Sequence, residues 1–205
     1  NISFEQANRL PEPDEVLGNW IDILSTNQLK AERSTNLNAG FSSVLVKKGA
    51  HQISFAGNFF FRDITNLIQQ SAESEGAFKY INFDEVQMSG FDGSLIYKLG
   101  DILQVEQAIS VLNPMIKSDR DEFGNERITD ESTLPNIPLF QSTTQLRMFF
   151  EDLIQKGSKL SLYWISDYRA EFFRHSEIIG RFNKDKIPVQ WINNAGISYA
   201  FPTEN

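Results

Sequence analysis

Apolar residues along this chain fall into two alternating periodicities. Residues 41–47 (FSSVLVK) and 52–56 (QISFA) read as strands flanking Lys48-Gly49-Ala50-His51, a hairpin or a pair of adjacent strands. Residues 78–83 alternate strictly, with Phe78, Tyr80 and Asn82 on one side and Lys79, Ile81 and Phe83 on the other. Between them, residues 61–74 place Ile64, Leu67, Ile68 and Ala72 at helical spacing. Residues 94–112 are apolar at the same spacing, weakened at Gly100, and Asp92-Gly93-Ser94 is a turn that opens that helix. Further on, Ser142-Thr143-Thr144 caps a helix with Leu146, Phe149, Phe150 and Leu153 inward and Gly157 as its stop. Residues 159–165 (KLSLYWI) are a strand, Asp167 caps a last helix ended by Gly180, and 188–192 and 197–201 are short closing strands. The pattern predicts an α/β fold, a single mixed β-sheet with helices mainly on one face.

Residues 1–40 stand apart as an N-terminal extension. Pro11 and Pro13 punctuate it, and Val16, Leu17, Trp20, Ile21 and Leu24 recur at helical spacing. The α/β domain then occupies 41–205, with an inserted loop at about 104–141 whose part from 113 onward is irregular, charged and proline-bearing.

At 205 residues the chain suffices for one domain with a substantial core. Its 17 phenylalanines predict a core of aromatic rings. A net charge of −8, with Lys47-Lys48 as the adjacent basic pair, argues against nucleic acid as a partner. The absence of cysteine removes disulfides, thiolate nucleophiles and zinc–sulfur sites, and leaves His51 and His175 as the histidines. His175, among Phe172, Phe173 and Ile178, reads as structural. Loop 117–130 has Asp119, Asp121 and Gly124 at calcium-loop places, but Phe123 and Arg127 take ligand positions and Asp130 stands where a glutamate belongs. No cofactor and no metal are therefore expected. No run approaches the roughly 18 apolar residues of a membrane-spanning helix, and nothing at the start resembles a leader. These features point to the cytoplasm and to no membrane span. The lack of an initiator Met is compatible with a trimmed upstream segment. No G-x-S-x-G, P-loop, H-E-x-x-H or G-x-G-x-x-G motif occurs, so the chain is not expected to be an enzyme.

The order of elements, through VKKGAHQISFAGNFFF, YINFDEVQMSGFDGSLIYKLGDIL, KGSKLSLYWI and FFRHSEIIGRF, resembles the STAS domain of anti-sigma factor antagonists. The resemblance covers about 42–103 and 142–182. In antagonists the signature turn is Asp-Ser-Ser-Gly; here it reads Asp92-Gly93-Ser94-Leu95, with Ser94 on the phosphoacceptor place and Leu95 replacing glycine. The resemblance implies a non-catalytic regulatory module that docks a protein partner through Ser89, Phe91, Asp92, Gly93, Ser94 and Lys98 and is switched at Ser94. The plainer reading makes Asp92 or Ser94 a helix N-cap. Alternatives are a structural subunit of a larger particle, self-associating as a homo-oligomer, and a small-ligand carrier. Gly18-Asn19-Trp20, Ser166-Asp167-Tyr168 and Gly180-Arg181 are faintly similar to lipocalin signatures, but the helical segments between them speak against that all-β family.

Overall fold

The computed structural model describes residues 1–19, 21–74, 77–117, 132–173 and 186–201, with the side chains of 72–74 and 132 outside the description. They form an antiparallel meander. β1 (Ile2–Arg9), β3 (Glu32–Lys48), β4 (His51–Ser74), β5 (Ala77–Leu99), β6 (Leu103–Ile116), β8 (Phe140–Glu151), β9 (Lys159–Arg169) and β12 (Gln190–Ala200) follow one another as hydrogen-bonded neighbours. β2 (Ile23–Leu24) attaches in parallel to β5, and β7 (Ser132–Thr133) attaches to β6. β10 (Phe172–Phe173) pairs with β11 (Lys186–Ile187) as a separate ribbon. The one α-helix among the described residues is α1 (Pro13–Leu17).

The α/β expectation is thus overturned. The hairpin at 48–51 and the strands at 78–83 and 159–165 form as expected. The segments expected as helices at 61–74, 94–112 and 142–156 are instead strands and the tight turns between them. Their apolar spacing was compatible with a helix only because period-2 runs were read across turns. Leu95, Tyr97 and Leu99 alternate on β5, and Leu103, Val105, Ile109 and Val111 alternate on β6. Gly100, with φ of 51°, is the hinge between the two strands rather than a flaw in a helix. At 61–74, Asn66 takes a positive φ of 56° in mid-strand and interrupts the alternation that would have identified β4. The two closing strands expected at 188–192 and 197–201 are parts of one strand, β12, which runs from Gln190 to Ala200, and the last predicted helix falls largely outside the described residues.

The register sorts every strand onto two faces. One row crosses the sheet as Phe41, Gly57, Gly93, Ile109, Ser142, Tyr168 and Trp191. Two residues along lies the row Ala39, Phe59, Phe91, Val111 and Phe140. The row between them, on the opposite face, reads Asn58, Asp92, Ser110, Gln141, Arg169 and Gln190. One face is therefore apolar and aromatic, the other polar. The apolar face is also exposed: Phe59 keeps 57% of its surface and Ile197 keeps 70%. Leaving such a face in water across eight strands would cost tens of kcal/mol at about 25 cal/mol per Å². An apolar medium removes that cost.

The ends of the strands differ. Turns at 49–50, 100–102 and 152–158 are short, and Gly49 and Gly157 take positive φ there. At the other end the connections are long except between β4 and β5, which run on past their neighbours and end and begin at Ser74 and Ala77. Residues 10–31 carry α1 and β2, and residues 132–139 fold back over the polar face, where Leu134 covers the cross-strand row Ile64, Val86 and Ile116. This small core, completed by Phe83, is the one buried apolar cluster among the described residues.

Candidate functional site

The polar face carries the concentration of side-chain chemistry. Its central concavity, about 490 Å³, lies across β4, β5, β6 and β8 and is lined by Asn58, Asp92, Ser94, Ser110, Gln141 and Thr143, among others. Small residues floor it: Ser42, Ala56, Ser94, Ala108 and Thr143 form one cross-strand row. Ser110 Oγ donates to Asp92 Oδ1 at 2.7 Å, and Thr143 Oγ1 donates to Asp167 Oδ1 at 2.7 Å. Each carboxylate is thus held by a hydroxyl one strand away, and both remain acceptors towards the open side. Arg62 lies over the Phe60 ring, 5.1 Å from its centroid. This arrangement can bind polar groups through its hydroxyls, amides and carboxylates. Among the described residues no three His, Cys, Asp or Glu side chains converge as a metal site.

At the end with long connections, the loop 10–31 is strapped to β4 and β5. Asn82 Nδ2 donates to the carbonyls of Lys30 and Asn66, and its Oδ1 accepts from the Lys30 N–H at 2.8 Å. Arg9 donates to both oxygens of the buried Glu15 at 2.9 and 3.0 Å and reaches Glu32 at 3.4 Å, while Glu32 accepts from the Ile68 N–H. Desolvation works against the charge of Arg9, but the hydrogen bond and charge of Glu15, then Glu32, outweigh it and raise its pKa above the ordinary value.

The residues expected to dock a partner all lie within β5, where no turn and no helix start is found. They divide between the faces. Asp92, Ser94 and Lys98 are on the polar face, and Ser89, Phe91 and Gly93 are on the apolar one. Ser94 is a mid-strand residue lining the concavity, so the helix-cap reading lapses. The acidic loop 118–130 and His175 lie outside the described residues. Asn58, Ser110, Gln141, Thr143 and Asp167 escaped the reading of the sequence as polar-wall residues. The alternation of polar with apolar residues over 52–61 and 103–111 is the signal that finds them.

Residues 2–205 match the family described as TonB dependent receptor-like, beta-barrel. The chain belongs to that family. The likeness extends to structure: a chain titled "Copper transporter OprC" superimposes with a TM-score of 0.61 at 14% identity, over 97% of this chain. This chain spans 28% of the length of that protein. A search of curated proteins found no match. The STAS resemblance is therefore wrong, and with it the regulatory function switched at Ser94, the alternatives of particle subunit and soluble carrier, and the soluble protein partner. The cytoplasmic assignment and the expected lack of a membrane span are corrected as well, because a family of outer-membrane β-barrels crosses the bilayer with strands. No described helix is long and apolar enough to cross a membrane, which is no evidence against strands doing so.

Proposed function

We propose that the chain is a section of the wall of an outer-membrane transport barrel, acting without catalysis, whose polar face lines the path of the cargo. The observation that carries this reading is the separation of faces: Phe59, Phe91 and Val111 point into lipid while Asn58, Asp92 and Ser110 point inward. Short turns in such barrels face the periplasm and long loops face outward, which puts the 10–31 strap and the Leu134 core at the outer mouth. Copper, named for the structural neighbour, is one cargo to assay. Among the described residues no three metal-binding side chains converge, so the panel includes other metal complexes beside copper.

These 205 residues contain no cysteine, and the test starts from a full-length receptor in which any cysteine elsewhere is replaced by serine. In the full-length receptor in cells, Asn58→Cys should react with a charged thiol reagent and Phe59→Cys should resist it. A bulky reagent at Asn58→Cys should then slow uptake across a panel of metal complexes including copper. Equal labelling of both positions would overturn the reading of the wall, and unimpeded uptake with the wall labelled would overturn the cargo path.

A further inference from the structure

The apolar face is broken at mid-depth. On β6 the residues of that face are Leu103, Val105, Gln107, Ile109 and Val111, with the one amide at the centre. At about 3.3 Å per residue and a tilt of about 40°, Leu103 and Val111 stand about 10 Å of depth to either side of Gln107. Thr144 lies directly across from it on β8, and Ser142 is one step along β8 on the same face. Thr144 Oγ1 donates to Gln107 Oε1 at 2.6 Å, and Gln107 Nε2 donates to Ser142 Oγ at 2.7 Å and to the Ala108 carbonyl at 3.1 Å. The amide head is thus held between the two hydroxyls. Phe140 and Tyr168 flank this cluster on one side, Leu146 and Trp164 on the other. Polar side chains facing hydrocarbon are costly and mark function.

Depth and chemistry together describe the occupant. Acyl tails at the middle of a bilayer carry no hydrogen-bonding group, so what meets the cluster there is protein. Both N–H donors of Gln107 are spent, but its oxygen keeps an open lone pair. The hydroxyl of Ser142 accepts, and among the described residues no acceptor is found for its proton. An open donor and an open acceptor therefore lie side by side, and no charged residue stands on this face of β6, β8 or β9. Such a neutral patch is complementary to itself, which is what an interface between two identical copies requires. Copies in one membrane share their orientation, so the two-fold axis relating them runs along the membrane normal and keeps every residue at its own depth. An axis between β6 and β8 sets β6 of each copy against β8 of the other, where the Ser142 proton of one can meet the Gln107 oxygen of the other, twice. We propose that two copies of the receptor associate side by side in the membrane through Gln107, Ser142 and Thr144. This rests on the apolar face lying in the membrane.

The experiment places the full-length receptor, with one fluorophore per copy, in liposomes of phosphatidylethanolamine and phosphatidylglycerol and counts photobleaching steps as the protein is diluted in lipid. Wild-type particles should bleach in two steps at protein-to-lipid ratios where chance co-occupancy is excluded. Gln107→Leu combined with Ser142→Ala should weaken association at least tenfold, whereas Val105→Ala, on the same face of β6, should leave it unchanged. A urea midpoint no lower than that of the wild type shows that the double variant keeps its barrel. In cells, with any other cysteine replaced by serine, Ile109→Cys should be joined to a second copy by a short bismaleimide, and Phe55→Cys, two strands from β6, should not. A monomeric wild type, a dimer that the double variant leaves intact, or an Ile109→Cys adduct to a different protein would each overturn the proposal. Labelling of Ile109→Cys by a charged thiol reagent in the dilute liposomes would instead overturn the membrane placement itself.

Discussion

Introducing one arginine at either of two adjacent positions, Ser94 or Leu95, separates the two faces of β5. The apolar stretch of β5 runs from Phe91 to Leu99, with Leu95 at its midpoint and 43% exposed. At about 3.3 Å per residue and a tilt of about 40°, that stretch spans about 20 Å of membrane depth, so Leu95 lies near the midplane. An arginine on the lipid face at that depth costs about 2–4 kcal/mol. Ser94, one residue earlier, lines the polar concavity with Asn58 and Ser110. There a guanidinium meets water and the Asp92 carboxylate, and a change within about 0.5 kcal/mol is expected for a substitution of this kind. Reversible urea unfolding of the full-length receptor in liposomes measures both, with an unchanged m-value as the check that the unfolded state is the same. Leu95→Arg should lower the unfolding free energy by several times the effect of Ser94→Arg. Equal costs, or a larger cost at Ser94, would refute the assignment of faces.

Three further outcomes follow from the packing. A Cβ at Gly57 would stand 2.6 Å from Phe41 Cζ and 2.9 Å from Phe91 Cε2, so Gly57→Ala should cost about 1–3 kcal/mol in the same unfolding assay as those rings are displaced. Asn82→Ala removes two hydrogen bonds to the strap and one to Asn66 of β4, and should cost about 1–3 kcal/mol locally. It should show as faster proteolysis within 10–31, with the global unfolding midpoint unchanged. Arg9→Ala strands the Glu15 carboxylate, which is 8% exposed, and should destabilise the strap by about 1–3 kcal/mol, more than the milder Glu15→Gln, by hydrogen exchange at Ile68. Because the pKa of Arg9 is raised, its contribution is constant below its ordinary value and is lost only as pH rises through the raised one.

How much of this was legible in the sequence depended on which face a residue occupies. The hairpin at Gly49-Ala50 and the strand around Trp164 were plain because turn residues bound short, regular alternations. The long strands were not. β4 and β5 run to 24 and 23 residues, far beyond the usual strand. Where they leave the bilayer, the inner face changes from polar to apolar, as at Ile64 and Val86 beneath Leu134. That change breaks the period-2 signal midway along one strand and, with Ile68, reproduces helical spacing. The polar wall was hidden for a related reason. Asp92-Gly93-Ser94 looks like a turn in isolation, but Gly93 is small because the ring of Phe91 lies over it, 2.7 Å from where a Cβ would be.

The phenylalanines show how a membrane fold can pass for a soluble one in composition. Phe41, Phe55, Phe59 and Phe91 touch in a chain of ring contacts, with centroids 4.7–6.2 Å apart, that lies outside the sheet rather than within it. Gly57 and Gly93 leave the slots these rings fill, so the packing that a soluble protein builds between layers is built here along one surface. The buried apolar cluster that remains, Ile64, Phe83, Val86, Ile116 and Leu134, sits under the folded-back segment at the end with long connections. The chain is therefore inverted in its middle and ordinary at that end. Its apolar content totals 40%, an ordinary value for a soluble domain. The distribution of those residues between faces, rather than their number, carries the information about the solvent.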